Sequence, residues 1–218
     1  MGISLRSYKT YENDAQKVGI IKEELVMFIE TKRLIIRDLE PDDEIDFVEM
    51  ASDGSLIDIG FDDSCGEWMA DWITESKQFA TRNNPRMDYL AYVVVLKDEN
   101  VVIGSVGCSY YEELDEVGIT YFIGADYRNS GYAIEAVKAY INYFFNHYDL
   151  QKVIATVRAE NISSWKVVEK AGFSLTEKKM YKDLNDVDEE MYHFYEIRYK
   201  NESIDAVHNS AIINTILE

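Results

Sequence analysis

The chain has 218 residues, 47% of them hydrophobic, which is enough to bury the core of one domain. Its formal net charge of −19 argues against a binder of nucleic acid or of an anionic membrane, because both partners require a basic surface. No apolar run reaches the roughly 18–20 residues that span a bilayer, and the N-terminus lacks the apolar stretch of a secretory signal. Two cysteines and three scattered histidines predict a cytoplasmic protein without a disulfide framework or a metal site.

The acidic residues are concentrated in one part of the chain. Residues 41–76 contain twelve Asp or Glu and no Lys or Arg, whereas residues 151–182 contain seven Lys or Arg and three Glu. A single charge run is often only a solvated face. As a pair, the two runs predict a cationic ligand on the N-terminal half and an anionic ligand on the C-terminal half.

The predicted elements begin after an N-terminal extension, residues 1–29, whose apolar positions fit an amphipathic helix that packs on the domain or on a partner subunit. One strand and two helices then open the domain, at 30–39, 41–52 and 66–81. The second helix carries Trp68 and Trp72 at helical spacing, and we interpret both as core residues.

A β meander follows. Runs rich in β-branched and aromatic residues predict its three strands at 89–97, 101–111 and 117–123. An amphipathic helix, a strand, a second helix and a closing antiparallel hairpin are predicted at 132–148, 152–158, 161–170, and 173–182 with 191–200. We divide the chain into an extension (1–29), one domain (30–199) and a tail (200–218), and the order of elements predicts a mixed α/β or α+β sheet.

The helix after the third meander strand opens with an unusual run of small polar residues, since residues 127–136 read YRNSGYAIEA. The first N–H groups of a helix have no partner inside it, and the macrodipole adds positive charge there. Gly131 lacks the Cβ that would keep a ligand from the main chain, and Arg128 adds a cation. The segment therefore suits a diphosphate. The alternative is that Asn129 or Ser130 is only an N-cap and Gly131 only a loop residue.

The motifs resemble those of a known family. A strand ending in Gly124, the segment YRNSGYAIEA and, about thirty residues later, AENISSWKVVEKAGF resemble the two core motifs of the GNAT superfamily of acetyl-CoA-dependent N-acetyltransferases. The opening ETKRLIIRDLEPDD is similar to the first strand and helix of its ribosomal-protein N-terminal acetyltransferase-like, or Rim-type, branch. The resemblance covers roughly residues 30–199. It implies a GNAT-like α+β fold, with a mixed, mostly antiparallel sheet of about six or seven strands, flanking helices and a splayed fork between strands 117–123 and 152–158.

The resemblance also implies which residues bind acetyl-CoA. Matching positions place the CoA diphosphate on main-chain N–H groups at Arg128, Asn129, Ser130, Gly131, Tyr132 and Ala133. A bulge in the preceding strand is expected to offer backbone groups to the pantetheine arm at Phe122, Ile123 and Gly124. Asn161 matches a pantetheine-contacting Asn, and it also suits a helix cap.

Catalysis in the resembled family is direct transfer of the acetyl group to a neutral amine. Many relatives carry a Tyr that protonates the leaving thiolate where this chain has Val168. The Rim-like branch has a Ser three residues after the Asn, so Ser164 is the candidate here, although it could equally fill the first helical turn. Relatives with a carboxylate base have it where Val117 and Gly118 fall, which makes Glu116 the nearest candidate.

The acceptor is expected to be a cationic primary amine. A protein N-terminus is favoured, and a polyamine or an aminoglycoside remain alternatives. A function of another class is a non-catalytic acyl-CoA-binding or interaction module with the same fold, suggested by the Val at position 168 and the uncertain base. A homodimer formed through the extensions or the closing hairpin is a further expectation.

Overall fold

A computed structural model of the chain describes residues 27–62, 64–183 and 186–199. The helix predicted in the N-terminal extension and the tail 200–218 lie outside these residues. Positions 27–29, which we assigned to the extension, belong to the domain: Met27 is buried, and its backbone N donates to Asp38 Oδ2 at 3.0 Å.

The described residues form an open sheet of eight strands. In chain order these are β1 Phe28–Glu30, β2 Leu34–Arg37, β3 Leu90–Leu96, β4 Val101–Tyr111, β5 Glu116–Ile123, β6 Lys152–Arg158, β7 Ser174–Tyr181 and β8 Glu190–Arg198. Their spatial order is β1-β2-β3-β4-β5-β6-β8-β7, and every neighbouring pair is antiparallel except β5–β6. The predicted mixed, mostly antiparallel sheet is confirmed. Eight strands replace the expected six or seven because the predicted strand 30–39 contains the end of β1, a turn and β2, and β1 adds the eighth strand; Glu30 of β1 lies opposite Ile35 of β2.

Within the described residues, four α-helices cover the two faces of the sheet. They are α1 Asp43–Ala51, α2 Cys65–Arg82, α3 Tyr132–His147 and α4 Ile162–Ala171. The larger core packs α3 and α4 against one face, and a second core packs α1 and α2 against the other. Trp68 and Trp72 are half-buried at the border of the second core, where the Trp72 ring meets the edge of Phe47 at 5.4 Å. None of the described helices has the length and apolar character needed to cross a membrane.

The fork lies between β5 and β6. Their parallel pairing has a single register pair, Gly118 with Ile154. β5 is paired with β4 along its whole length, and β6 is paired with β8 from Lys152 to Arg158. The two halves of the sheet therefore meet at one bridge and separate beyond it, which confirms the predicted fork between 117–123 and 152–158.

Candidate active site

The C-terminal half of β5 turns backbone groups toward the fork. Gly124 N donates to Ile103 O at 2.9 Å, so the facing residues Gly104 and Ile123 form a non-hydrogen-bonded pair of the antiparallel ladder. Because backbone groups alternate in direction along a strand, those of Tyr121 and Ile123 face away from β4. One wall of the fork thus carries strand-like donors and acceptors that an extended ligand can pair with.

Of the three residues predicted to pair with the pantetheine arm, two turn their backbone groups toward β4 and not toward the fork. Phe122 faces Ser105 in a pair that exchanges its hydrogen bonds with β4, and its ring packs on Phe47 and Phe61, 6.0 and 5.1 Å away. Gly124 uses its N–H on β4. Ile123 is the member of the trio whose backbone faces the fork.

The prediction of a bulge in strand 117–123 is wrong. β4 and β5 stay in continuous register along the described strands. The irregularity lies instead between β3 and β4, where Val94 faces Gly104 and Val95 faces Val102. Asp46 Oδ2 of α1 accepts a hydrogen bond from Val102 N there, at 3.0 Å, which satisfies a group that the ladder leaves open.

A tight corner joins β5 to α3. Asn129 and Gly131 both have left-handed backbone conformations, with φ of 61° and 82°. Gly131 is the N-cap of α3, and no described side chain caps this end. The alternative in which Asn129 or Ser130 caps the helix therefore does not hold: neither side chain bonds to the start of α3, and the Ser130 hydroxyl donates to Arg128 O instead, at 3.4 Å. The exposed corner leaves the first N–H groups of α3 available to an anion.

Arg128 has a structural part in this corner. Its Nε donates to Ile123 O at 2.9 Å, and its Nη2 donates to Ser55 O at 3.1 Å. The guanidinium thus joins the end of β5 to the loop after α1. It is exposed and lies next to the uncapped helix end, so its charge still acts on an anion bound there.

The structure adds Arg33 to the predicted corner residues. Its Nη1 donates to Ser130 O at 2.8 Å, and its guanidinium carbon lies 4.4 Å from the centre of the Tyr132 ring. Its Nε donates to Glu135 Oε2 at 2.7 Å, while Glu135 Oε1 accepts from Arg33 N and from Thr31 Oγ1. Burial disfavours ionisation of Glu135, but these bonds outweigh it and hold the pKa of the carboxyl below its ordinary value. The β1–β2 turn is thereby fixed to the first turn of α3.

The N-terminus of α4 closes the other side of the fork. Asn161 Oδ1 accepts from Ser164 N at 3.0 Å and from Ser163 Oγ at 2.9 Å, so its reading as a helix cap is confirmed. The Ser164 side chain contacts Tyr121 of β5, with 2.7 Å between the two hydroxyl oxygens. Val168, at the position of the usual acid, is fully buried in the larger core. Sequence reasoning missed Tyr121, because its partner on α4 is 43 residues away.

Glu116 lies apart from this pair. Its carboxylate forms an ion pair with Lys152 at the start of β6. Five residues of strand separate it from Tyr121, about 17 Å at the usual rise. The structure therefore does not bring together Glu116 and Ser164, the two residues predicted to carry catalysis.

The position of the usual base is filled by an aromatic ring. A Cβ on Gly118 would lie 2.5 Å from Tyr111 Cε2. Burial raises the pKa of Tyr111 to about 12, so the phenol is neutral at physiological pH and cannot accept a proton. Within the described ranges, no group of three or more His, Cys, Asp or Glu could hold a metal ion.

Comparison with known proteins identifies the family. Residues 33–174, more than half of the chain, match the acetyltransferase (GNAT) domain family. The uncharacterized N-acetyltransferase YnaD of Bacillus subtilis (strain 168) is 33% identical over 150 residues, which cover 67% of this chain and 82% of YnaD.

Solved structures share the fold. A GNAT-family acetyltransferase from Bacillus anthracis has a TM-score of 0.65 and 24% identity, covering 79% of this chain and 98% of that one. RimL, a ribosomal alpha-N-protein acetyltransferase in complex with coenzyme A, has a TM-score of 0.66 and 13% identity, covering 78% of this chain and 97% of RimL. The family match decides for an enzyme over a non-catalytic module: the chain belongs to the GNAT family and is an N-acetyltransferase.

Proposed function

We propose that this enzyme transfers the acetyl group of acetyl-CoA directly to a primary amine of a cationic acceptor, with a protein N-terminus as the favoured acceptor. The observation that carries the proposal is the joining of two features. The parallel pair β5–β6 opens beyond Gly118, and the uncapped end of α3 lies at the end of β5. An extended ligand that carries a diphosphate fits this combination, because one feature pairs with its arm and the other binds its charge.

The residues of the corner fit the diphosphate. Main-chain N–H groups from Asn129 to Ala133 hold it, with Arg128 and Arg33 as neighbouring cations. The backbone of Tyr121 and the N–H of Ile123 pair with the pantetheine arm, since Ile123 O already accepts from Arg128 Nε. Asn161 uses its side-chain oxygen as the cap of α4, which leaves its Nδ2 to donate to the same arm.

Ser164 lies where a leaving group can be stabilised. Acetyl-CoA supplies the thioester and the thiolate that departs from it. The Ser164 hydroxyl donates a hydrogen bond to that sulfur, and the N-terminus of α4 adds its positive end. Holding two reactants in the fork supplies roughly 7–11 kcal/mol of the barrier.

The acceptor amine must reach the fork without a strong base. The Tyr111 ring fills the space beside Gly118, and Glu116 is bound to Lys152. At pH 7, deprotonating an α-amino group of pKa about 7.8 costs about 1 kcal/mol, whereas a Lys-like amine costs about 4.6 kcal/mol. Water suffices as the proton acceptor in the first case, which favours a protein N-terminus. RimL, which shares the fold, is a ribosomal alpha-N-protein acetyltransferase.

The acidic run 41–76 favours a cationic acceptor. This run supplies α1 and most of α2. These helices cover the face of the sheet on which Gly118 and Phe122 lie. One of its carboxylates, Asp43, is neutralised by Arg37, and the exposed ones create a negative potential. The potential also raises the pKa of a bound amine, which adds to the cost of deprotonating it and opposes the advantage of a low-pKa acceptor.

A substrate panel tests the proposal, with release of free CoA as the readout. The panel compares two peptides: one offers only a free N-terminal α-amine, and the other is acetylated at its N-terminus and offers only one Lys side-chain amine. We expect the first to react at least tenfold faster. The rate should rise with pH and level off near the α-amine pKa of about 8. Faster turnover of the Lys peptide, a polyamine or an aminoglycoside would overturn the preference for a protein N-terminus. CoA binding without turnover on any amine would overturn the transfer itself.

The remaining features of the proposal concern assembly and location. We expect a cytoplasmic enzyme without a metal, nucleic-acid or membrane partner, built as one domain, extended from the predicted 30–199 to 27–199, between an N-terminal extension and a tail (200–218). A homodimer is supported by the closing hairpin, an edge of the sheet with exposed apolar side chains at Leu175, Met180 and Met191. Sedimentation equilibrium tests it: a monomer at micromolar concentration would overturn the dimer.

A further inference from the structure

Tyr121 meets the fork in two ways. Its backbone N–H and C=O face the opening between β5 and β6. Its side chain lies on the opposite side of the strand from Phe122 and reaches the first turn of α4. The phenol donates to Ser164 O at 2.9 Å and lies 2.7 Å from Ser164 Oγ. A ligand that pairs with the Tyr121 backbone therefore lies next to the hydroxyls of Tyr121 and Ser164.

The two hydroxyls have two proton arrangements. When the phenol donates to Ser164 O, the serine hydroxyl can donate to the phenol. When the phenol donates to Ser164 Oγ, the serine proton is free to point toward another acceptor. Rotation about two C–O bonds interconverts them, and both oxygen distances lie in the hydrogen-bonding range. Ser164 O loses little in the second arrangement, because the helix supplies it with a backbone donor four residues on.

The phenol stays protonated through the working range. Burial raises the pKa of Tyr121 to about 12. Its titratable neighbour, Tyr195 of β8, has a pKa that burial also raises to about 12. Tyr195 bonds instead to Glu169 of α4, at 3.2 Å. Tyr121 is thus a fixed neutral donor directed at Ser164.

We propose that Tyr121 is a positioning residue for the leaving thiolate, which acts by donating to Ser164 Oγ and thereby directing the Ser164 proton at the sulfur. The inference rests on the proposed function, in which Ser164 faces that sulfur. As the new C–N bond forms, the C–S bond breaks and the sulfur keeps its electron pair. The amine proton leaves to water, and both hydroxyls keep their protons.

A hydrogen bond, rather than full proton transfer, follows from the acidities. A thiol of pKa about 8.5 is more than a thousandfold stronger as an acid than a phenol of pKa about 12. The pair therefore polarises and orients, and a chain of two donors strengthens each bond. It supplies what the buried Val168 cannot.

The thiol pKa of bound CoA tests this pair without requiring turnover. It is measured by the ultraviolet absorbance of the thiolate in the binary complex, with the complex of desulfo-CoA subtracted to remove tyrosinate signals. The variants are Tyr121→Phe, Ser164→Ala and the double variant. Tyr195→Phe is the matched control, since it removes a neighbouring buried phenol that bonds to Glu169 instead of Ser164.

We expect Tyr121→Phe to raise the bound thiol pKa by about one unit, a tenfold change in its ionisation constant, and to leave the Kd of CoA measured below that pKa within twofold. Ser164→Ala should raise it at least as much. In the Ser164→Ala background the second substitution should add less than a twofold change. Tyr195→Phe should leave it unchanged. With an acceptor present, Tyr121→Phe should lower kcat about tenfold at constant KM for acetyl-CoA.

Three results would overturn the inference. An unchanged thiol pKa in Tyr121→Phe would do so while leaving the proposed function intact. Additive effects of the two substitutions would show that Tyr121 does not act through Ser164. A wild-type protein that fails to bind CoA would overturn the proposed function as well.

Should Tyr121→Phe fail to fold, 3-fluorotyrosine at position 121 provides a more acidic phenol of nearly the same shape. This substitution should lower the bound thiol pKa, and an unchanged thiol pKa would contradict the inference.

Discussion

Replacing Gly131 separates backbone strain from charge at the diphosphate corner. Gly131 has a φ of 82°, and a Cβ there would lie 3.5 Å from Arg33 Nη2, an ordinary contact. Gly131→Ala therefore adds strain of about 1–2 kcal/mol without a clash. Gly60 is the matched control, because its φ is 87° and no described atom lies within 4 Å of a Cβ there. The two Ala variants should lose the same free energy of unfolding.

Gly131→Glu adds a negative charge to the same strain. A carboxylate about 6 Å from each of two diphosphate charges is repelled by about 1.4 kcal/mol in total at the dielectric constant of water, and by about four times as much at an effective value of 20. The corresponding loss of CoA affinity is at least about tenfold. Gly60→Glu introduces the same side chain at a left-handed position in the loop after α1, and should leave CoA affinity unchanged.

Isothermal titration with CoA measures these affinities, and urea unfolding measures the strain of each variant. The corner predicts a Kd at least about tenfold weaker for Gly131→Glu than for Gly60→Glu, at equal stability. Equal affinity of these two variants would refute the reasoning, because it would mean that no phosphate lies near the start of α3.

Three further predictions follow from the surroundings of the fork. Glu135→Gln should lower the free energy of unfolding by about 2 kcal/mol at pH 7. Hydrogen bonds from Thr31 and Arg33 outweigh burial and hold the folded pKa of Glu135 below its ordinary value. The stability difference between wild type and Glu135→Gln should therefore persist above pH 5 and shrink as the pH falls through that folded pKa. Urea unfolding at pH 7 and pH 3 measures this difference, and an equal value at both pH values would contradict the prediction. Glu116→Gln should change kcat by less than about twofold, because the carboxylate is paired with Lys152 and lies far from Ser164; a tenfold loss would restore Glu116 as the base. Cys65 and Cys108 are buried, and burial raises the pKa of both thiols, to about 12 for Cys108, so a thiol reagent at pH 8 should react with them only after unfolding; reaction in the native state would contradict their burial.

The central strands were predictable from sequence. The runs 101–111 and 152–158 coincide with β4 and β6, because β-branched residues bounded by polar turns leave little choice of ends. β3 is buried along its whole length, as its unbroken apolar run indicates. The first hairpin was not predictable in the same way. Strands of three and four residues on either side of a polar turn give too short a pattern, so β1 was assigned to the extension.

The side-chain contacts of the site depend on distances in space that local patterns do not contain. Arg33 was visible in the first motif, but its partner Glu135 is 102 residues away. The bond between Tyr121 and Ser164 joins a strand to a helix in the same way. Strand register decided two further points. The bulge predicted in β5 lies instead between β3 and β4, and the backbone of Phe122 faces β4 and not the fork.

A crystal structure with acetyl-CoA tests the central claim most directly. The account predicts diphosphate oxygens within hydrogen-bonding distance of main-chain nitrogens between Asn129 and Ala133, and pantetheine amides paired with the backbone of Tyr121 and Ile123. A cofactor bound elsewhere, with those nitrogens facing only solvent, would contradict it.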